Sequence, residues 1–158
     1  MPTPASTPPI PPGLDNAFVP LPGVITSGQP TAGQIEALAR DGVEVVIDLR
    51  GPAEPRGFDE RAVVERLGLE YHNIPVGATL GAAEIERVSA LLRQRSVRTV
   101  LVHCKSANRV GGAMLPYLIL DEQLPRGEAL ATAQEIGLRS EDLARAAFAY
   151  VDRADAGA

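Results

Sequence analysis

The sequence predicts an α/β fold of three layers: a single domain with a mainly parallel central sheet of about four to five strands and helices on both faces. Three observations carry this expectation. Short β-branched runs alternate along the chain with segments of helical periodicity, the order that right-handed crossovers turn into a parallel sheet. The run Val43–Leu49 is apolar on both faces, as a strand covered by helices on each side must be. With 158 residues, the chain has enough surface to bury one core without disulfides or metals.

The elements follow in order. Residues 1–14 hold little to bury and much of the proline, and they read as an extended, flexible tail ahead of a domain spanning 15–155. Phe18-Val19 and Val24-Ile25-Thr26 flank Pro20-Leu21-Pro22-Gly23 and suggest two short strands joined by a turn at a sheet edge. Thr31-Ala32-Gly33-Gln34 has the pattern of a capping box and opens a helix to about Asp41, with Ile35, Leu38 and Ala39 on one face. Gly42 ends it, and the strand Val43–Leu49 follows.

Asp59–Leu67 forms a short helix, Leu69–Val76 the next strand, and Ala82–Arg95 a helix with Ile85, Val88, Leu91 and Leu92 inward. Thr99–Val102 delivers His103-Cys104. Gly111–Leu120 is apolar nearly all round and predicts a buried central helix, although Pro116 should kink or shorten it. Arg126–Ile136 and Ser140–Arg153 complete the chain as helices.

Composition narrows the function. The net charge of -5 provides no global basic field, so neither nucleic acid nor an acidic membrane is the expected partner. No apolar run reaches the roughly 20 residues needed to span a bilayer. One cysteine can form no internal disulfide, which suits a reducing cytoplasm. Two histidines and one cysteine make no recognised metal-ligand spacing, and no glycine pattern for a nucleotide occurs, so no cofactor is expected.

The chemistry concentrates in Val100-Leu101-Val102-His103-Cys104-Lys105-Ser106-Ala107-Asn108-Arg109-Val110-Gly111-Gly112. Here a strand ends in a thiol, a short loop carries a guanidinium, and a helix follows. Loop N–H groups and the positive end of a helix both favour thiolate over thiol. The bland alternative is a small buried cysteine at a strand end. Ligands of open α/β sheets bind beyond the C-terminal strand ends, which gathers Asp48, Arg50, the Gly77–Gly81 loop and Cys104–Arg109 at one end.

His103-Cys104-x4-Arg109, preceded by Val100-Leu101-Val102, resembles the signature of the superfamily of cysteine-dependent protein phosphatases and rhodanese-type sulfurtransferases. Ser27-Gly28-Gln29-Pro30-Thr31, Val46-Ile47-Asp48-Leu49-Arg50 and Tyr71-His72-Asn73-Ile74-Pro75-Val76 resemble bacterial phosphatase-like domains found alone or fused to β-lactamase-like hydrolases or an NAD kinase. The likeness covers roughly Asn16–Leu120 and implies a protein-tyrosine- or dual-specificity-phosphatase-like fold.

This sequence departs from that phosphatase pattern in three places. Four residues, not five, separate Cys104 from Arg109, which is the sulfurtransferase spacing. Val110 stands where the phosphatases place Ser or Thr. Gly77-Ala78-Thr79 follows the Ile74-Pro75-Val76 strand end, where the dual-specificity type carries an acidic proton donor. Asp48, Glu54, Asp59 and Glu84 are conceivable substitutes but read better as solvated or capping carboxylates.

These departures favour a sulfurtransferase in which Cys104 takes a sulfane sulfur from a small anionic donor such as thiosulfate or a persulfide. The alternative is a phosphatase acting on a phosphoprotein or small phosphoester through a phosphocysteine. A third reading is a non-catalytic anion-binding or thiol-sensing module. In each, Arg109 clamps the anion and the backbone of Lys105, Ser106, Ala107 and Asn108 cradles it. Lys105 is expected to add positive charge and His103 to orient the loop, and the resemblance implies that Asp48 braces it and Arg50 lines the pocket.

Overall fold

The computed structural model describes residues 7–77 and 79–157. Five strands form one sheet: β1 (Phe18–Leu21), β2 (Val24–Ser27), β3 (Val43–Asp48), β4 (Glu70–Asn73) and β5 (Thr99–His103). Their order is β1-β2-β5-β3-β4. β1 pairs antiparallel with β2, while β2–β5, β5–β3 and β3–β4 are parallel. β5 is therefore central, flanked by strands from earlier in the chain.

Alternation along the strands builds two cores. Val100 and Val102 of β5, with Val45 and Ile47 of β3, face one side, and Leu101, Val46 and Ile25 face the other. The first side is covered by α3 (Ala82–Leu92), α4 (Asn108–Leu120), α5 (Arg126–Ile136) and α6 (Glu141–Ala156) through residues such as Val88, Met114, Ala133 and Leu143. The second is covered by α1 (Ala32–Arg40) and α2 (Glu60–Arg66) through Ile35, Leu38 and Val64. This is the expected three-layer α/β arrangement.

Local chemistry sets the boundaries. The Thr31 hydroxyl accepts from the Gln34 N–H and the Gln34 side chain accepts from the Thr31 N–H, so the capping box at α1 is formed. Asp59 and Ser140 cap α2 and α6 from one side only, their side chains accepting from the Ala62 and Leu143 N–H groups. β4 ends at Asn73, short of the run Leu69–Val76, although the Ile74 and Val76 N–H groups still donate to the Asp48 and Leu49 carbonyls at 2.9 and 3.0 Å.

Three expectations change. β1 extends through Pro20 and Leu21, so the turn is Pro22-Gly23 alone, and of the two strands only β1 is a sheet edge, since every β2 residue is buried. α4 begins at Asn108 rather than Gly111 and runs unbroken through Pro116 to Leu120, so Pro116 does not shorten it. Of the stretch read as a flexible tail, residues 1–6 lie outside the described residues. Residues 7–14 pack on the domain: Pro8, Pro11 and Leu14 are buried, and the Thr7 hydroxyl accepts a 2.8 Å hydrogen bond from the Gly23 N–H. Order therefore begins before Asp15. No helix among the described residues is long and apolar enough to cross a membrane.

Candidate active site

β5 carries His103 to its end, and Cys104 follows at the C-terminal edge of the central strand, where parallel sheets place their ligands. The Cys104 N–H still donates to the Ser27 carbonyl at 3.3 Å, and the Gln29 N–H donates to the Lys105 carbonyl at 3.2 Å. The start of the loop is thus tied to the segment after β2. A Cβ on Gly28 would stand 2.6 Å from the Lys105 carbonyl oxygen, so only glycine permits this approach.

The loop turns at Ala107, which adopts the left-handed conformation with φ 67° and directs the chain into α4. A helix leaves its first N–H groups without intrahelical partners, and Ala107 has no side chain to cap them. The N-terminus of α4 is therefore open toward the loop, as an anion cradle requires. The Asn108 side chain points elsewhere: its Oδ1 accepts from the Arg139 N–H at 2.7 Å and the Ser140 N–H at 3.1 Å. Ser106 Oγ accepts from the Arg139 guanidinium at 2.8 Å. Lys105 is exposed, with its carbonyl rather than its side chain in the loop's hydrogen bonding.

The Arg109 fork is engaged by the segments after β3 and β4. Nη1 and Nη2 donate to the two Glu54 oxygens at 2.8 and 3.0 Å. Nη1 also reaches the Val76 carbonyl at 3.4 Å. Glu54 accepts further from Arg50 Nε at 3.1 Å and from the Gly51 N–H at 2.6 Å. Arg109 above all, then the Gly51 N–H and Arg50, hold its carboxyl far below the usual carboxylate range. Glu54 in turn, by hydrogen bond and charge, holds Arg109 protonated against the opposing effect of burial.

A cleft of about 460 Å³ opens at this pair, lined by Glu54, Val76, Gly77, Arg109, Asn108, Ser140, Asp142 and Leu143. Cys104 is 1% exposed and does not form its wall. Arg50 does not line it either, contrary to expectation. Its guanidinium is drawn away to Glu54 and, at 3.0 Å, to the Gln29 side chain.

Asp48 and His103 belong to a buried polar layer under the loop. His103 Nδ1 lies 3.3 Å from the Cys104 carbonyl, and its Nε2 lies 2.5 Å from Glu60 and 3.9 Å from Asp48. Asp48 accepts from the Arg50 N–H at 2.9 Å, Arg56 Nε at 2.7 Å and the Tyr71 hydroxyl at 2.6 Å. Burial pushes the Asp48 carboxyl up, but His103, Arg56, Tyr71 and the Arg50 N–H outweigh it and hold it below the usual range. Burial and Asp48 together push the Tyr71 hydroxyl far up.

Asp48, Glu60 and His103 place potential metal-ligand atoms within 4.8 Å of one another. Their acceptors already have protein donors: Arg56 and Tyr71 on Asp48, and His103 and the Gln29 amide on Glu60. A cation there would face the Arg56 guanidinium. The donor set fits a hydrogen-bonded support for the loop, not a metal centre.

Glu60, Arg56 and Arg139 were not legible as site residues, and Glu54, read as a solvated or capping carboxylate, is instead the partner of Arg109. Glu54 and Glu60 meet their partners across 55 and 43 residues of sequence, which no local pattern records. The one available signal was the spacing of Arg50 and Glu54, turned back on each other by Gly51-Pro52.

The assembled features can be compared with known proteins. No family model matches the chain. A crystal structure of a Shewanella putrefaciens CN-32 protein described as a candidate phosphatase (DUF442) superposes with a TM-score of 0.76 at 25% identity, covering 89% of this chain and 94% of that one. This is a protein-tyrosine-phosphatase-like fold. TpbA of P. aeruginosa, in complex with pTyr, shares it with a TM-score of 0.64 and 26% identity, over 86% of this chain and 82% of that one. In sequence, the phosphatase-like chain is 34% identical over 132 residues to a β-lactamase hydrolase-like protein of Xylella fastidiosa Temecula1. The match takes in 76% of the chain but spans only 28% of the relative's length.

Proposed function

We propose that this phosphatase-like chain is a cysteine-dependent phosphatase that cleaves aryl phosphoesters through a phosphocysteine on Cys104. The observation that carries the reading is the placement of Cys104 and Arg109 on the loop between the end of β5 and the open N-terminus of α4, in a fold shared with TpbA, whose complex contains pTyr. These likenesses are to phosphatases, and they favour phosphoryl transfer over the sulfur transfer that the loop length alone suggested.

In the proposed cycle the Cys104 thiolate attacks phosphorus while the bond to the leaving oxygen breaks. Charge spreads over the three remaining phosphoryl oxygens, which the loop N–H groups and Arg109 hold. Water then attacks the phosphocysteine, the S–P bond breaks, and inorganic phosphate leaves with the thiolate restored. Glu54 fixes the plane of the Arg109 guanidinium, so the clamp is ordered before substrate arrives. Val110 supplies no hydroxyl to the departing thiolate, so the second step relies on the loop N–H groups.

Sulfur transfer remains the second reading, and the four-residue spacing between Cys104 and Arg109 favours it. A tighter loop suits a persulfide better than a five-coordinate phosphoryl group.

Paired assays separate the two. The protein is incubated with an aryl phosphate and, in parallel, with thiosulfate, followed by phosphate release and intact mass. Phosphate release that Cys104→Ser abolishes and Arg109→Ala lowers by about 10²-fold or more supports the phosphatase. A gain of one sulfur atom on Cys104 without phosphate release overturns it in favour of the sulfurtransferase.

A further inference from the structure

We infer that Asp142, on the first turn of α6, is the proton donor to the leaving oxygen, a role that the loop after β4 cannot fill. The inference rests on the phosphatase reading. Two carboxylates line the cleft over Arg109, those of Glu54 and Asp142. Glu54 accepts from both terminal nitrogens of Arg109, from Arg50 and from the Gly51 N–H. A carboxylate with four such donors has no proton to give and would lose them all by taking one up.

Asp142 is held differently. Its partner is Arg145, three residues on, at 3.0 Å, and both side chains are largely exposed, at 78% and 73%. Such a surface pair is worth little and leaves the carboxyl free to turn toward the cleft. Its backbone, in contrast, is fixed to the catalytic loop. Asn108, the residue before Arg109, accepts from the N–H groups of Arg139 and Ser140 at the α6 cap. Ser140 caps the same turn through the Leu143 N–H, and Leu143 packs where a Cβ on Gly112 would stand 3.1 Å away. The first turn of α6 therefore moves with the loop that holds the substrate.

Val76 and Gly77 line the same cleft, and neither these nor Thr79 carries an acid. Asp142 thus shares the cleft with the segment that lacks one. In the first step the protonated Asp142 carboxyl gives its proton to the departing aryl oxygen as the P–O bond breaks, and its carboxylate remains. In the second step that carboxylate takes a proton from the water attacking the phosphocysteine, so the group returns to its starting state.

The test compares kcat/KM for phenyl phosphate and p-nitrophenyl phosphate in the native chain, Asp142→Asn, Asp142→Glu and Glu54→Gln. Phenolate is a poor leaving group without a proton, while nitrophenolate leaves unaided. Asp142→Asn should lower kcat/KM on phenyl phosphate by about 10²-fold, the usual contribution of a general acid. The loss on p-nitrophenyl phosphate should be smaller by about tenfold or more. Asp142→Glu should recover part of the phenyl phosphate activity, and Glu54→Gln should affect both esters alike. Equal losses on both esters in Asp142→Asn, no loss, or a selective loss in Glu54→Gln instead overturns the assignment while leaving the phosphatase reading intact. A native chain that cleaves neither ester overturns both.

Discussion

At Arg109, orientation and charge work against each other. Glu54 holds the guanidinium in one plane, yet brings a negative charge to a site that must accept an anion. Orientation is the larger effect, because Glu54 is already neutralised by Arg50 and the Gly51 N–H, whereas Arg109 has only Glu54 and a long contact to Val76 to fix it. Glu54→Ala should therefore lower kcat/KM for an aryl phosphate by about 10- to 100-fold, the equivalent of one or two charge-assisted hydrogen bonds. Steady-state kinetics check this, with a rise in activity as the outcome that contradicts it. Glu60 has no such ambiguity. Glu60→Ala leaves His103 and the Gln29 amide facing a vacated buried site, and breaking a buried pair in this way costs about 3–5 kcal/mol. Urea unfolding of the variant should show that loss, while Glu60→Gln, which keeps an acceptor, should lose less.

At the level of elements, α4 shows what periodicity can and cannot reveal. Its apolar body, read from the sequence as Gly111–Leu120, is buried from Val110 to Leu118. Its start was not legible, because Asn108 and Arg109 are polar residues serving the loop while already helical. Nor could the sequence show that the segment between α5 and α6 closes onto the loop, since that contact joins Gly137 to Ala107 and Arg139 to Ser106. Capping boxes and strand runs are local and were legible, whereas the contacts that hold the loop are between distant segments. Gly111 tests the packing of α4. An alanine there would add up to about 1 kcal/mol of helix propensity. Its Cβ, however, would stand 2.7 Å from the Ala133 carbonyl oxygen and 2.7 Å from the Leu138 Cβ, one of them backbone that cannot yield. Overpacking costs about 1–3 kcal/mol and wins, so Gly111→Ala should lower the midpoint of thermal unfolding measured by circular dichroism.

For the whole molecule, the strand order places the loop beside the ends of β2 and β3, and it concentrates ionised carboxylates under one edge of the sheet. Asp48 and Glu54 are both held below their ordinary values of 3.8 and 4.5. A carboxyl depressed in the folded state binds its proton more readily when unfolded. Its contribution to stability is therefore complete above the ordinary value and is lost as pH falls toward the folded one. Stability should accordingly be level between about pH 7 and pH 5 and decline progressively below about pH 4.5. Both carboxyls support Arg50, so the loss falls first on the end of the sheet that carries Cys104 and Arg109. Urea midpoints measured at pH 7, 5 and 3.5 check the profile. In Glu54→Gln the stability at pH 7 should be lower and the slope below pH 4.5 shallower, because one of the protons taken up on acid unfolding no longer has a site. An unchanged slope would place the acid sensitivity elsewhere and leave the Glu54–Arg109 pair without a share in folding.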